Sequence, residues 1–204
     1  MAKDILLKTI GMIGHAGATY KAVEYAGETI RALSMDERMA ITNMAVEMGA
    51  KVGLMPVDET TKAYLAARGI TNYPVDASDP DAVFCAEHRF DASALAPQVA
   101  CPHGVDQVTE AKTVREPIHQ AYLGSCAGGR LNDIRQAAQL LKGKKIAKGV
   151  RMLVSPASCA IWKQADEVGY LRTLADAGET CISSSNRNFI GRMGSKQSRI
   201  FLGS

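Results

Sequence analysis

The stretch His119-Gln120-Ala121-Tyr122-Leu123, followed by Gly124-Ser125-Cys126-Ala127-Gly128-Gly129 and then by Leu131 to Leu141, decides the fold class of this chain. The first part reads as a strand, the glycine-rich part as a turn and the last as a helix. Val150-Arg151-Met152-Leu153-Val154 reads as a second strand, and Ser158 to about Ala175 as mainly helix. Strand, turn, helix and strand in that order favour a parallel pair joined by a crossover helix. The expected class is α/β.

Working back from there, residues 1–118 read as helix-rich. Leu6, Leu7 and Ile10 recur at helical spacing before Gly14 and Gly17 break the chain. Thr19 is expected to cap a second helix carrying Ala22, Val23, Ala26 and Ile30. A third is expected from about Ser34 to Met48, with Ser34 as N-cap, Asp36 and Glu37 in its first turn and Gly49 ending it. Val52-Gly53-Leu54-Met55 is a short strand candidate, followed by a helix that Asp58 and Glu59 open and that closes near Gly69. Pro74, Pro80, Pro97, Pro102 and Pro117 punctuate the remainder, which should hold short strands and loops.

The bulk properties bound the function. The chain has 204 residues, 47% of them hydrophobic, enough for one domain or two small ones. A net charge of +3 with both signs interspersed implies no nucleic-acid or membrane-surface partner. No apolar run approaches the roughly 20 residues that span a bilayer. Met1-Ala2-Lys3-Asp4 has no signal-peptide pattern, so the expected compartment is cytoplasmic. The five cysteines are an odd number without a Cys-x-x-Cys, which points to reduced thiols, most of them expected to be buried.

Three groups of residues carry candidate chemistry. Cys126 stands in a glycine-rich turn before a helix, where a thiolate is favoured for metal binding or nucleophilic attack. No Lys-Ser or Lys-Thr pair follows, so the turn is not a P-loop. Asn43 and Glu47 are four apart and would share a helix face, either in a site or in water. Ser185-Asn186-Arg187-Asn188-Phe189-Ile190-Gly191-Arg192-Met193-Gly194 holds two arginines among small polar side chains and glycines. Such a pair can grip a small polycarboxylate, each charge-assisted bond contributing roughly 1.5–3 kcal/mol. With Lys196 and Arg199 it can equally be a solvated basic tail.

His15, His88, His103 and His119 form no ligand-spaced pair; His103 either lines a pocket or is a loop histidine satisfied locally. Ser183, Ser184 and Ser185 have no His/Asp partner near them in sequence, which argues against a serine hydrolase.

Thr180-Cys181-Ile182-Ser183-Ser184-Ser185-Asn186-Arg187-Asn188-Phe189 through Gly191-Arg192 resembles a signature of the aconitase superfamily, and of the large subunits of 3-isopropylmalate dehydratase and homoaconitase type within it. Gly124 to Asp133 and Met39 to Ala50 agree with it. The resemblance implies a partial aconitase-like three-layer α/β fold, helix-rich over 1–118, with the ligand turn and arginine motif in 119–204. It implies a hydro-lyase acting on a hydroxy di- or tricarboxylic acid through a [4Fe–4S] cluster, with Cys126 as one thiolate ligand. Arg187 and Arg192, with Asn186 and Ser185, would bind substrate carboxylates. Asn43 would lie near the cluster, and Glu47 would support the proton and water chemistry. A small swivel-domain subunit would complete the pocket.

Departures from the pattern are as informative. Cys126-Ala127-Gly128 replaces the family's Cys-Thr-Asn, and the family's upstream half has no counterpart here. The Gly-Cys-x-x-Cys loop that supplies the other two ligands is expected between Gly178 and Cys181. It is missing, and neither Cys159 nor Cys181 matches a ligand position. One thiolate cannot hold a cluster that normally needs three or four. A hydro-lyase large subunit, a non-catalytic module without the cluster, and a thiol-dependent enzyme using Cys126 are thus the competing expectations.

Overall fold

Helix α1 (Ala2–Ile13) owes its place to Ile5, Leu6 and Ile10, whose spacing puts all three on one buried side. The structure, a computed structural model, describes residues 2–181. Gly14, at φ 84°, ends α1, its N–H donating to the Ile10 carbonyl at 2.7 Å.

The next segment departs from the sequence expectation. Thr19 caps no helix; its hydroxyl donates to the Ala16 carbonyl at 2.6 Å. Ala22–Glu24 form strand β1, and helix resumes only at α2 (Glu28–Ala32), after Gly27 at φ 110°. The cause is tertiary. Strand β1 runs parallel to the later strand Val52–Leu54, with Val23 opposite Gly53, and that pairing outweighs the weak helical preference of a few apolar side chains.

Helix α3 (Met35–Asn43) starts as expected. The Ser34 hydroxyl accepts from the Glu37 N–H, and the Glu37 carboxylate accepts from the Ser34 N–H at 3.0 Å. At Met44 the helix tightens into a 3₁₀ segment, Met44–Met48, which Gly49 ends at φ 83°. Strand β2 (Val52–Leu54) and helix α4 (Glu59–Ala66) follow, with Asp58 capping α4. Buried Arg38 ties α3 to α4: its guanidinium donates to both Asp58 carboxylate oxygens at 2.7 Å, and to the Leu33 and Arg31 carbonyls at 3.0 and 2.8 Å.

Within the proline-punctuated stretch, β3 (Gln98–Ala100) and β4 (Val108–Glu110) pair antiparallel, Val99 opposite Thr109. The Gln98 N–H donates to Asp4 at 2.8 Å, fastening this hairpin to α1.

The remaining described residues form the α/β unit that the sequence predicts. Strand β5 (Gln120–Gly124), the one-turn helix α5 (Ser125–Gly128) and α6 (Leu131–Leu141) lead to β6 (Arg151–Ser155). The expected helix after Ser158 is two, α7 (Cys159–Glu167) and α8 (Tyr170–Ala177), divided where Gly169 adopts φ 78°. Strand β7 (Thr180–Cys181) completes a parallel sheet of order β5-β6-β7, with Tyr122 opposite Leu153 and Val154 opposite Cys181.

Two hydrophobic cores result. The first joins α1, α3 and the 3₁₀ segment through Ile5, Leu6, Ile10, Ile41 and Met48. The second joins α6, β6 and α8 through Ile134, Val154, Leu171 and Leu174. Each such aliphatic side chain contributes about 1.5–3 kcal/mol by leaving water. Among the described residues no helix is long and apolar enough to cross a membrane.

Candidate functional site

The two cores meet where α3 lies against α5, and there the structure brings two of the sequence candidates together. Asn43, the last residue of α3, points its Nδ2 at the Cys126 carbonyl from 3.5 Å, across 83 positions of sequence. The firmer bond to that carbonyl comes from Arg130, whose Nε donates at 3.2 Å. Cys126 itself is exposed, and its Sγ lies 3.8 Å from the Ser125 hydroxyl. A thiol therefore faces outward on a turn whose backbone is held from both sides.

The turn has its shape because of close approach. A Cβ on Gly129 would stand 2.6 Å from the Ser155 carbonyl oxygen and 2.9 Å from the Ala157 nitrogen. Only glycine lets β6 and its following loop pass so near, and the Gly129 carbonyl accepts there from the Ala157 N–H at 2.9 Å. Ser125, a non-glycine residue at φ 71°, makes the sharp exit from β5. Such a backbone costs an ordinary residue about 1–2 kcal/mol and persists where its surroundings hold it.

Behind the turn sits a charged group. The Asp133 carboxylate accepts from the Arg130 N–H at 3.0 Å and lies 3.8 Å from the Lys3 ammonium. Burial raises the Asp133 carboxyl above its ordinary range, a shift that the Lys3 charge opposes. Lys3 belongs to α1 and Asp133 to α6, so this pair also spans the junction of the two cores.

Several site expectations need revision. Cys126 is not at the N-terminus of α6: it lies in α5, and Arg130 precedes α6. The backbone after Gly124 turns once before the long helix begins, which no glycine count reveals. Glu47 stands exposed in the 3₁₀ segment while Asn43 closes α3. Their i, i+4 spacing therefore does not give the shared α-helical face that it predicts. Cys85, Cys126 and Cys159 are exposed and Cys101 half-buried, contrary to the expectation of mostly buried thiols; none of the four is in a disulfide. Ser185, Asn186, Arg187 and Arg192 lie outside the described residues.

Arg130 is the residue that sequence reasoning missed. Its four-residue distance from Cys126 was visible, but it signals contact only once residues 125–128 are known to be helical. His103 does line a shallow depression, together with His15 and Asp106. There His15 Nδ1 lies 2.8 Å from the Asp106 carboxylate, which also accepts from the His15 N–H at 3.2 Å. The His15 hydrogen bond holds the Asp106 carboxyl below the usual carboxylate range.

The donor set does not fit an iron–sulfur cluster. Among the described residues no three His, Cys, Asp or Glu side chains are grouped to hold a metal ion. Nor do the described residues leave room between α8 and the strand at Thr180 for the loop expected to supply further thiolates. Gly178, at φ 101°, closes α8, the Glu179 N–H donates back to Leu174 at 3.2 Å, and β7 begins at Thr180. Glu179 occupies this turn with its Oε2 buried and without a hydrogen-bond partner among the described residues, and burial pushes its carboxyl up to about 7.

Comparison with known proteins places this arrangement. The 3-isopropylmalate dehydratase large subunit of Oleidesulfovibrio alaskensis is 46% identical over 98% of this chain and 53% of its own length. That of a Sulfurihydrogenibium species is 44% identical over 99% and 52%. The 2,3-dimethylmalate dehydratase large subunit of Eubacterium barkeri is 41% identical over 99% and 54%. The chain thus spans about half the length of the curated relatives it matches. Their matched spans, 226, 225 and 226 positions, exceed the 204 residues here, so the relatives carry positions within the match that this chain lacks. The model of the aconitase family (aconitate hydratase) matches residues 1–181, and with the α/β framework around the Cys126 turn this establishes that the chain belongs to the aconitase family.

Proposed function

We propose that this chain is the part of a large-subunit-type hydro-lyase that shapes the site for a hydroxy di- or tricarboxylic acid such as 3-isopropylmalate. The observation that carries the reading is the meeting of Asn43 with the Cys126 turn, two family-like stretches joined at the junction of the two cores. In this reading Arg187 and Arg192, with Ser185 and Asn186, hold the substrate carboxylates. Asn43 and Arg130 hold the Cys126 turn, and Glu47 serves the proton of the departing hydroxyl. The relatives are named as large subunits, which supports a small swivel-domain subunit as protein partner. Family membership implies a [4Fe–4S] cluster, of which this chain offers Cys126 alone, so no step is routed through one.

The test is carboxylate binding. Titrating the chain with 3-isopropylmalate should give saturable binding that falls roughly a hundredfold in Arg187→Ala with Arg192→Ala, as expected when charge-assisted bonds are lost. No binding, or equal binding by the variant, overturns the reading.

A second reading, a non-catalytic module without the cluster, is favoured by the closed turn at Gly178 and Glu179. Anaerobic iron and sulfide analysis should then find no stoichiometric cluster. Inserting the family's expected Gly-Cys-x-x-Cys loop between Gly178 and Cys181 should raise iron content. A full cluster with dehydratase turnover in the unaltered chain would overturn this second reading.

A further inference from the structure

Two cations stand at the Cys126 turn, and each keeps donors without an acceptor among the described residues. The Lys3 ammonium lies against Gly128: a Cβ on that glycine would stand 2.8 Å from Lys3 Nζ. The space that a side chain at position 128 would fill is thus taken by a charge from α1. The Lys3 side chain is 22% exposed, and its ammonium comes only within 3.8 Å of the Asp133 carboxylate. That is an ion pair, too long for a hydrogen bond.

Arg130 follows the turn and is half-buried. Its Nε is engaged by the Cys126 carbonyl at 3.2 Å, while its two terminal nitrogens donate to no acceptor among the described residues. Lys3, Ala127 and Arg130 line one cavity, so both charges face the same space. Shielded donors on an ammonium and a guanidinium favour a ligand that brings anionic oxygens. The opposing acids are Asp133, whose Oδ2 already accepts from the Arg130 N–H at 3.0 Å, and Asp36, whose charge acts on Asp133. Two cations against two carboxylates make no strong long-range field, so a ligand would be held by directed hydrogen bonds at short range.

We propose that Lys3 and Arg130 bind a small carboxylate ligand at the Cys126 turn, the ammonium seated in the notch at Gly128 and the guanidinium presenting its terminal fork. The bound carboxylate lies beside the exposed thiol. This goes beyond the reading above, in which carboxylates fall to Arg187 and Arg192 while Arg130 holds the turn. It needs no cluster, because neither cation is a metal ligand.

The test is alkylation of Cys126 in the full chain, resolved by peptide mass spectrometry with exposed Cys85 as internal control. Succinate, a small dicarboxylate, should protect Cys126 and not Cys85 from iodoacetamide, and the protection should saturate. Iodoacetate carries its own carboxylate, so the ratio of iodoacetate to iodoacetamide rates at Cys126 should fall roughly fivefold in Lys3→Met. Gly128→Asn should lower the ratio as well, because a side chain there displaces the ammonium, whereas Lys3→Arg should keep it. A turn that merely shifts changes both reagents alike and leaves the ratio where it was. Circular dichroism checks folding, and Gly128→Asn carries the test if Lys3→Met does not fold. Absence of succinate protection in the unaltered chain, or a ratio indifferent to loss or displacement of the ammonium, overturns the proposal. Arg187→Ala with Arg192→Ala separates the two carboxylate sites. Protection that survives in that double variant and is lost in Lys3→Met supports this site whatever becomes of 3-isopropylmalate binding. The reverse pattern overturns it and leaves the proposed function standing.

Discussion

The core around α1 and α3 and the core around β6 are held together by different means. The first is assembled from helices and two short sheets through side-chain ties of long sequence separation: Arg38 to Asp58, and Gln98 to Asp4. The second is a continuous parallel ladder covered by α6 and α8, with a nonpolar interior. A tie of charges fails when one partner is removed or neutralised, whereas a packed ladder fails when volume is lost. The two regions should therefore respond to different insults, and in opposite directions with pH.

The largest effect should come from Arg38, whose side chain is 3% exposed. Arg38→Met strips Asp58 of its buried partner and frees the Leu33 and Arg31 carbonyls, at a cost of about 3–5 kcal/mol measured by urea unfolding. Ile134→Ala in the second core should cost somewhat less, about 3 kcal/mol, from lost burial and the cavity left. If both variants move one shared transition, the two cores unfold together. If each lowers a separate transition, they are independent, and thermal unfolding followed at several wavelengths decides it.

Gly129→Ala should rank next, at about 1–3 kcal/mol, since its methyl meets backbone that cannot yield cheaply. Near-ultraviolet circular dichroism and alkylation of Cys126 should both change, because the turn that presents the thiol must shift.

The pH dependence separates the regions further. Asp58, lowered to about 2 chiefly by its hydrogen bond from Arg38, contributes stability that is present above pH 3.8 and lost as pH falls toward 2. Glu179, raised to about 7, does the opposite: its contribution is full below 4.5 and disappears as pH rises through 7. Glu179→Gln should abolish the decline between pH 4.5 and 7 while leaving the acid limb intact. An unchanged decline would show that another group causes it. The smallest effect belongs to His15→Ala, which should return the Asp106 titration toward the ordinary carboxylate range by NMR, with little change in folding.

The contrast also explains which elements were legible beforehand. The α/β unit follows from local patterns: the two short apolar strand stretches, the glycine turn and the α6 periodicity each point the same way, and the helix bounds Leu131 and Leu141 emerge as expected. The Ser34 capping box is equally local. Residues 19–30 misled because Val23 is committed by its partner Gly53, thirty places on, and no local signal reports a partner. At the site, the residue types were legible but their meeting was not. Arg130 bonds Cys126 because α5 forms, and Asn43 reaches it because α3 ends where it does.

Amino-acid order alone determined the class of fold, the glycine turn carrying Cys126, and the want of a second and third thiolate in a Cys-x-x-Cys. These are properties of spacing and residue type, which short-range geometry expresses directly. Only the tertiary structure decided that Asn43 and Arg130 converge on one carbonyl, and that the Glu179 Oε2 is buried with no hydrogen-bond partner among the described residues. Those depend on how two separate cores come to rest against each other, and packing between distant segments leaves no periodic mark in the chain.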